Sequence, residues 1–139
     1  GFSAGIKRMQ VFVFIYFGSF PSVDQAQSYT QGCWEPEPPD SVSDAEYEAW
    51  EDRNPVWPLR EELDVYLDSD FIETIVEPDW QSYLKSLIRD PDQLHEIMER
   101  CPENTNCLVL IYEAALGGYD SVMKSTSTLT LIGKYPCTL

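Results

Sequence analysis

Val11-Phe12-Val13-Phe14-Ile15-Tyr16-Phe17, stopped by Gly18, is a run of β-branched and aromatic residues without a single charge. Such a run predicts a central strand buried on both faces, the spine of the core, because a half-exposed strand would alternate polar and apolar positions. Two further runs, Leu108-Val109-Leu110-Ile111-Tyr112 and Thr128-Leu129-Thr130-Leu131-Ile132, predict strands that pair with each other. The connection between them carries Gly117-Gly118-Tyr119-Asp120-Ser121, which suits a long hairpin or a crossover loop.

Helix signals fill the space between these strands. Ser22-x-x-Gln25 and Ser43-x-x-Glu46 are capping-box patterns, opening a short helix through Tyr29 that Gly32 stops and another to about Arg53 that Asn54-Pro55 stops. Leu59, Leu63, Tyr66 and Leu67 recur at helical spacing, as do Trp80, Tyr83, Leu84, Leu87 and Ile88 after a capping Asp79. Asp90-Pro91 begins a last helix through Arg100, with Leu94, Ile97 and Met98 inward. Phe71–Val76 reads equally as strand or helical turn, and Glu35-Pro36-Glu37-Pro38-Pro39 as a surface loop. The expected fold is α+β: a small, largely antiparallel sheet with helices packed on it, in a single domain over 9–139. Residues 1–8 read as an appended remnant or flexible N-terminus. Lys7-Arg8 and the apolar run after them imitate a secretory signal, but the run is short and aromatic and no small-residue cleavage site follows closely.

Charge is concentrated rather than spread. The chain of 139 residues has 24 Asp and Glu against 9 Lys and Arg, a net charge of -15. Residues 35–77 alone hold fifteen acids and two bases, together with Tyr47, Trp50, Trp57, Tyr66 and Phe71. A solvated acidic tail lacks aromatics, whereas a surface made to meet a cationic protein combines both. The same charge repels phosphate backbones and anionic lipid, so neither nucleic acid nor membrane is an expected partner. No stretch approaches the roughly 20 apolar residues of a membrane span.

Chemistry finds little support. Cys33, Cys101, Cys107 and Cys137 match no dense secreted scaffold or zinc pattern and read as cytosolic thiols, with a local Cys101–Cys107 disulfide as the alternative. His95 stands alone in a helix, and Asp68-Ser69-Asp70-Phe71-Ile72-Glu73 lacks the glycine of a calcium loop. No phosphate-binding or dinucleotide motif occurs, so neither a cofactor nor a catalytic residue is expected.

Gly18-Ser19-Phe20, Ser43-Asp44-Ala45-Glu46-Tyr47-Glu48-Ala49-Trp50-Glu51, Arg53-Asn54-Pro55 and Leu67-Asp68-Ser69-Asp70-Phe71-Ile72-Glu73-Thr74-Ile75 resemble the bacterial immunity protein 22 family, over about Met9 to Ile132. The resemblance implies a non-catalytic protein that binds and neutralises a cognate polymorphic toxin. A toxin that cuts nucleic acid presents a basic cleft, and the acidic segment is its physical complement. The expected contact residues are the carboxylates Asp44, Glu48, Glu51, Asp52, Glu61, Glu62, Asp64, Asp68 and Asp70, with Trp50 and Trp57 as apolar anchors. A cytoplasmic location follows if the toxin acts there. The competing readings are an acidic adaptor domain and, less well supported by motif, a small hydrolase using paired carboxylates.

Overall fold

β1 (Gln10–Gly18) runs through the middle of the sheet in the computed structural model, which describes residues 10–138; the expected boundary at Met9 lies outside the described residues. Its seven apolar residues divide by alternation. Val13, Ile15 and Phe17 enter one core, while Tyr16, with Phe14 half-buried, enters the other. The chain continues through α1 (Val23–Gln31), α2 (Asp44–Arg53), α3 (Pro58–Leu63) and a 3₁₀ turn at Ser69–Phe71 to β2 (Ile72–Val76). Then come α4 (Trp80–Leu87), α5 (Pro91–Glu99), β3 (Cys107–Tyr112), a second 3₁₀ turn at Glu113–Leu116 and β4 (Leu129–Thr138). The sheet order is β2-β3-β1-β4 with every neighbouring pair antiparallel, an α+β arrangement.

Helices cover both faces. On one, Trp80, Leu84 and Leu87 of α4 and Ile97 of α5 pack on Phe17, Leu108 and Leu110, with the Trp80 ring meeting Phe17 edge-on at 5.2 Å. On the other, Ala26 of α1 and Leu59 and Leu63 of α3 pack on Tyr16, Val109 and Ile111. Each fully buried side chain of this kind contributes about 1.5–3 kcal/mol by leaving water.

The helix starts follow their sequence signals. Ser22 Oγ accepts from the Gln25 amide and Ser43 Oγ from the Glu46 amide, both at 3.1 Å, and Asp90 Oδ1 accepts from the Asp92 amide at 2.9 Å. Asp79 departs from expectation: it precedes α4 in a helical conformation and its side chain makes no capping bond.

Three other expectations are corrected. β3 and β4 do not pair with each other; both pair with β1, and the connection over residues 113–128 crosses between the two sides of that strand. β1 can take the place between them because it is long, uncharged and free of proline, so both its edges can be fully hydrogen-bonded. The helix containing Leu59 and Leu63 ends before Tyr66 and Leu67, since Asp64 turns into the left-handed region at φ 53° and its amide closes on the Arg60 carbonyl. A Cys101–Cys107 disulfide is ruled out by the sheet itself: Cys101 packs against the α4/α5 core and Cys107 lies in the opposite one. The turn between them is held instead by Asn106, whose side chain accepts from the Phe20 amide at 2.9 Å and donates to the Phe20 carbonyl at 2.8 Å.

β4 contains a bulge opposite Ile15 and Tyr16, where the register passes from Gly133 to Leu131 and leaves Ile132 over. The extra residue reverses the alternation. Leu129 and Leu131 therefore belong to the α1/α3 face, whereas Tyr135 and Cys137 belong to the α4/α5 face.

Candidate protein-interaction surface

The first helix of the acidic segment is α2, whose single buried residue, Trp50, belongs to neither core. The helix is fastened to the extended segment before it rather than to the sheet. Asn54, itself buried, accepts from the Glu35 amide and donates to the Trp50 carbonyl, both at 2.7 Å, and Trp50 Nε1 donates to the Glu35 carbonyl at 3.3 Å. The rings of Trp34 and Tyr47 lie 5.5 and 5.4 Å from that of Trp50, and Arg53 pairs with Glu35 at 3.0 Å. With its apolar side so occupied, α2 turns Asp44, Glu48, Glu51 and Asp52 to solvent.

Neither tryptophan expected to anchor a partner is available to one. Trp50 is 9% exposed and Trp57 4%. Trp57 fills the α1/α3 core and donates through Nε1 to the Thr30 carbonyl at 2.7 Å, while the Arg60 guanidinium lies 5.2 Å from its ring centre. A large ring with one donor gains most where it can be covered and still satisfy its N–H, and both tryptophans have such a place inside.

The remaining expected carboxylates divide by environment. Glu61, Asp64 and Asp70 are exposed. Asp68 is partly covered and accepts from the Asp70 amide at 3.0 Å, which makes it the cap of the 3₁₀ turn. Glu62 is a fastener: it accepts from the Tyr29 hydroxyl and, at 2.9 Å, from the Ser127 amide, tying the approach to β4 onto α1 and α3. The Ser127 and Tyr29 hydrogen bonds hold the Glu62 carboxyl below the usual range. Burial, reinforced by the Glu62 carboxylate, pushes the Tyr29 hydroxyl up to about 12.

Apart from Trp34, 56% exposed beside Trp50, the exposed aromatic rings lie elsewhere. Tyr66 and Tyr119 are 53% and 65% exposed, their ring centres 5.5 Å apart and their planes inclined at 52°. They border a cleft of about 680 Å³ together with Asp64, Asp120, Val122 and Lys124. Across Gly118 a second cleft, about 620 Å³, opens between Phe12 and Phe71 and includes Asp70, Glu73 and Glu113. Tyr66 and Phe71 belong to the acidic segment by sequence, but Tyr119 does not, and its adjoining Gly117-Gly118 was the one local sign of an exposed turn.

Glu73 lines the second cleft and reaches the α4 face of the sheet, where it accepts from the Tyr83 hydroxyl. The neighbouring Tyr112 hydroxyl is buried without a hydrogen bond of ordinary geometry. Burial and Glu73 raise both tyrosines, Tyr83 to about 12 and Tyr112 further. His95 is exposed on α5 and faces Glu99 at 2.9 Å. Among the described residues no group of three His, Cys, Asp or Glu side chains is placed to hold a metal ion, and no helix is long and apolar enough to cross a membrane.

Comparison with family models, with curated proteins and with solved structures found no match.

Proposed function

We propose that this chain is an immunity-type inhibitor that binds a cognate bacterial toxin, a nuclease with a basic cleft, in the cytoplasm of the producing cell and neutralises it without chemistry of its own. The observation that carries the reading is the fifteen acids against two bases within residues 35–77. Asp44, Glu48, Glu51, Asp52, Glu61, Asp64 and Asp70 are exposed members of that set. The resemblance of residues 43–55 and 67–75 to an immunity family adds to it.

A protein that acts on nucleic acid must present cations to phosphate, and an array of carboxylates complements that surface. Long-range attraction steers such a pair together, so the association rate depends on salt more than the dissociation rate does. The test is co-expression with the product of the adjacent gene, purification of the complex and measurement of its association rate across ionic strength. A stable complex that relieves toxicity, with an on-rate falling steeply in salt, supports the reading. Absence of a complex at micromolar concentration overturns it in favour of an adaptor domain.

A further inference from the structure

We infer that the docking centre for a basic partner is the end of the sheet around Tyr66 and Tyr119, and that it receives an arginine side chain projecting from that partner. The inference rests on the proposed binding of a basic protein and assigns its centre to a place away from α2.

Three observations converge there. Tyr66 and Tyr119 meet at a tilt and are open to solvent, and Val122 beside them is 85% exposed, so the patch combines aromatic and aliphatic surface that no part of this chain covers among the described residues. Tyrosine with two side-chain rotations supplies contact area at low entropic cost, which is why it concentrates at binding hot spots. Tyr66 is also held in place: Gly117, at φ 63°, brings its backbone against the Tyr66 ring so closely that a Cβ there would stand 2.6 Å from Cε1. Finally, Asp64 and Asp120 border the same cleft, and Asp70 the neighbouring one.

An aromatic face flanked by carboxylates is the environment a guanidinium prefers. It stacks flat on the ring, and its fork of donors reaches carboxylate oxygens at the edge. The cations nearby do not occupy the tyrosine rings: Lys134 is paired with Glu113 and lies over Phe12 and Phe14, and Lys124, which lines the cleft with Asp64 and Asp120, acts on the Glu62 carboxylate. Beside the α2 carboxylates, by contrast, Trp50 is buried and Tyr47 half-buried, and Trp34 is the one exposed ring of that group.

The experiment uses the full chain and an oligo-arginine peptide at physiological salt, with amide chemical shifts to map the contact and titration calorimetry for affinity. Expected are shifts centred on residues 64–71 and 117–122, and a loss of affinity of at least about tenfold in the Tyr66→Ala/Tyr119→Ala double variant. Asp64→Asn/Asp120→Asn, which preserves shape and suits the left-handed backbone at Asp64, is expected to lose affinity as well, while Glu48→Gln/Glu51→Gln on α2 stays within about threefold of the parent. Shifts centred on α2, unchanged affinity in both the tyrosine and the aspartate variants, or no binding of the peptide overturns the inference. The adjacent gene's product, tested in parallel, separates the two claims. A complex with it that survives Tyr66→Ala/Tyr119→Ala leaves the inhibitor reading standing and removes this one, whereas peptide binding at the tyrosines without any such complex does the reverse.

Discussion

Gly117 and Tyr66 are in a contact that only glycine permits, with the Gly117 backbone in the left-handed region at φ 63° and an ideal Cβ falling 2.6 Å from Cε1 of the tyrosine ring. Gly117→Ala therefore carries two costs, about 1 kcal/mol for the backbone and a further steric cost for moving the ring. The expected result in urea denaturation is a loss of about 1–3 kcal/mol with an unchanged m-value. Stability equal to the parent would show that the loop and the ring do not press on each other in solution.

Trp57→Phe keeps most of the buried ring but leaves the Thr30 carbonyl without its donor. Because both groups are buried, the expected destabilisation is about 1–3 kcal/mol, read from thermal or urea unfolding. Affinity for a basic partner should not change. A variant that unfolds normally but binds much more weakly would return Trp57 to the interface.

The phenols give a titration signature. Tyr16, Tyr29, Tyr83 and Tyr112 are all raised by burial, Tyr29 and Tyr83 to about 12 and the other two beyond. A raised folded value means that the neutral phenol stabilises the fold fully below the unfolded value of about 10 and that this contribution is lost as pH climbs through the folded value. Absorbance of tyrosinate should show at least these four tyrosines still protonated near pH 11 in the folded protein, released together on alkaline unfolding. Smooth ionisation of all eight tyrosines near pH 10 would contradict the burial.

Glu62 titrates in the other direction. Its folded pKa is lowered by the Ser127 and Tyr29 hydrogen bonds, so its contribution is present above the unfolded value of about 4.3 and disappears as pH falls through the depressed one. Glu62→Gln should lower stability at neutral pH and flatten its decline into acid, measured as melting temperature against pH. Being partly exposed, the group is screened by solvent, and the effect should be modest. An acid limb as steep as the parent's would remove Glu62 from the account.

Thiol labelling tests the cysteines. Cys33 is exposed, whereas Cys107 is buried and burial pushes its thiol up to about 12. Iodoacetamide at neutral pH should modify Cys33 first and Cys107 only on unfolding, because the thiolate is the reacting species and must be reachable. Early labelling of Cys107 would mean that the β3 end of the sheet opens readily.

Local signals were legible in the sequence because each acts over a few residues. Ser22, Ser43 and Asp90 start their helices with the bonds their spacing implies, and an uncharged run such as Val11–Phe17 has no stable place except between two covered faces. The concentration of carboxylates over residues 35–77 is likewise a property of the chain before it folds. Tertiary structure decided what depends on distant partners. β1 inserts between β3 and β4, which have similar strand patterns and give no sign of which edge each will find. The bulge at Ile132 reverses the faces of β4, and one extra residue in a ladder leaves no mark in composition. Trp50 and Trp57 turn inward while Tyr66 and Tyr119 meet at the surface, since burial of a large ring is settled by the cavity and hydrogen-bond acceptor that other segments provide, not by the acids beside it in the chain.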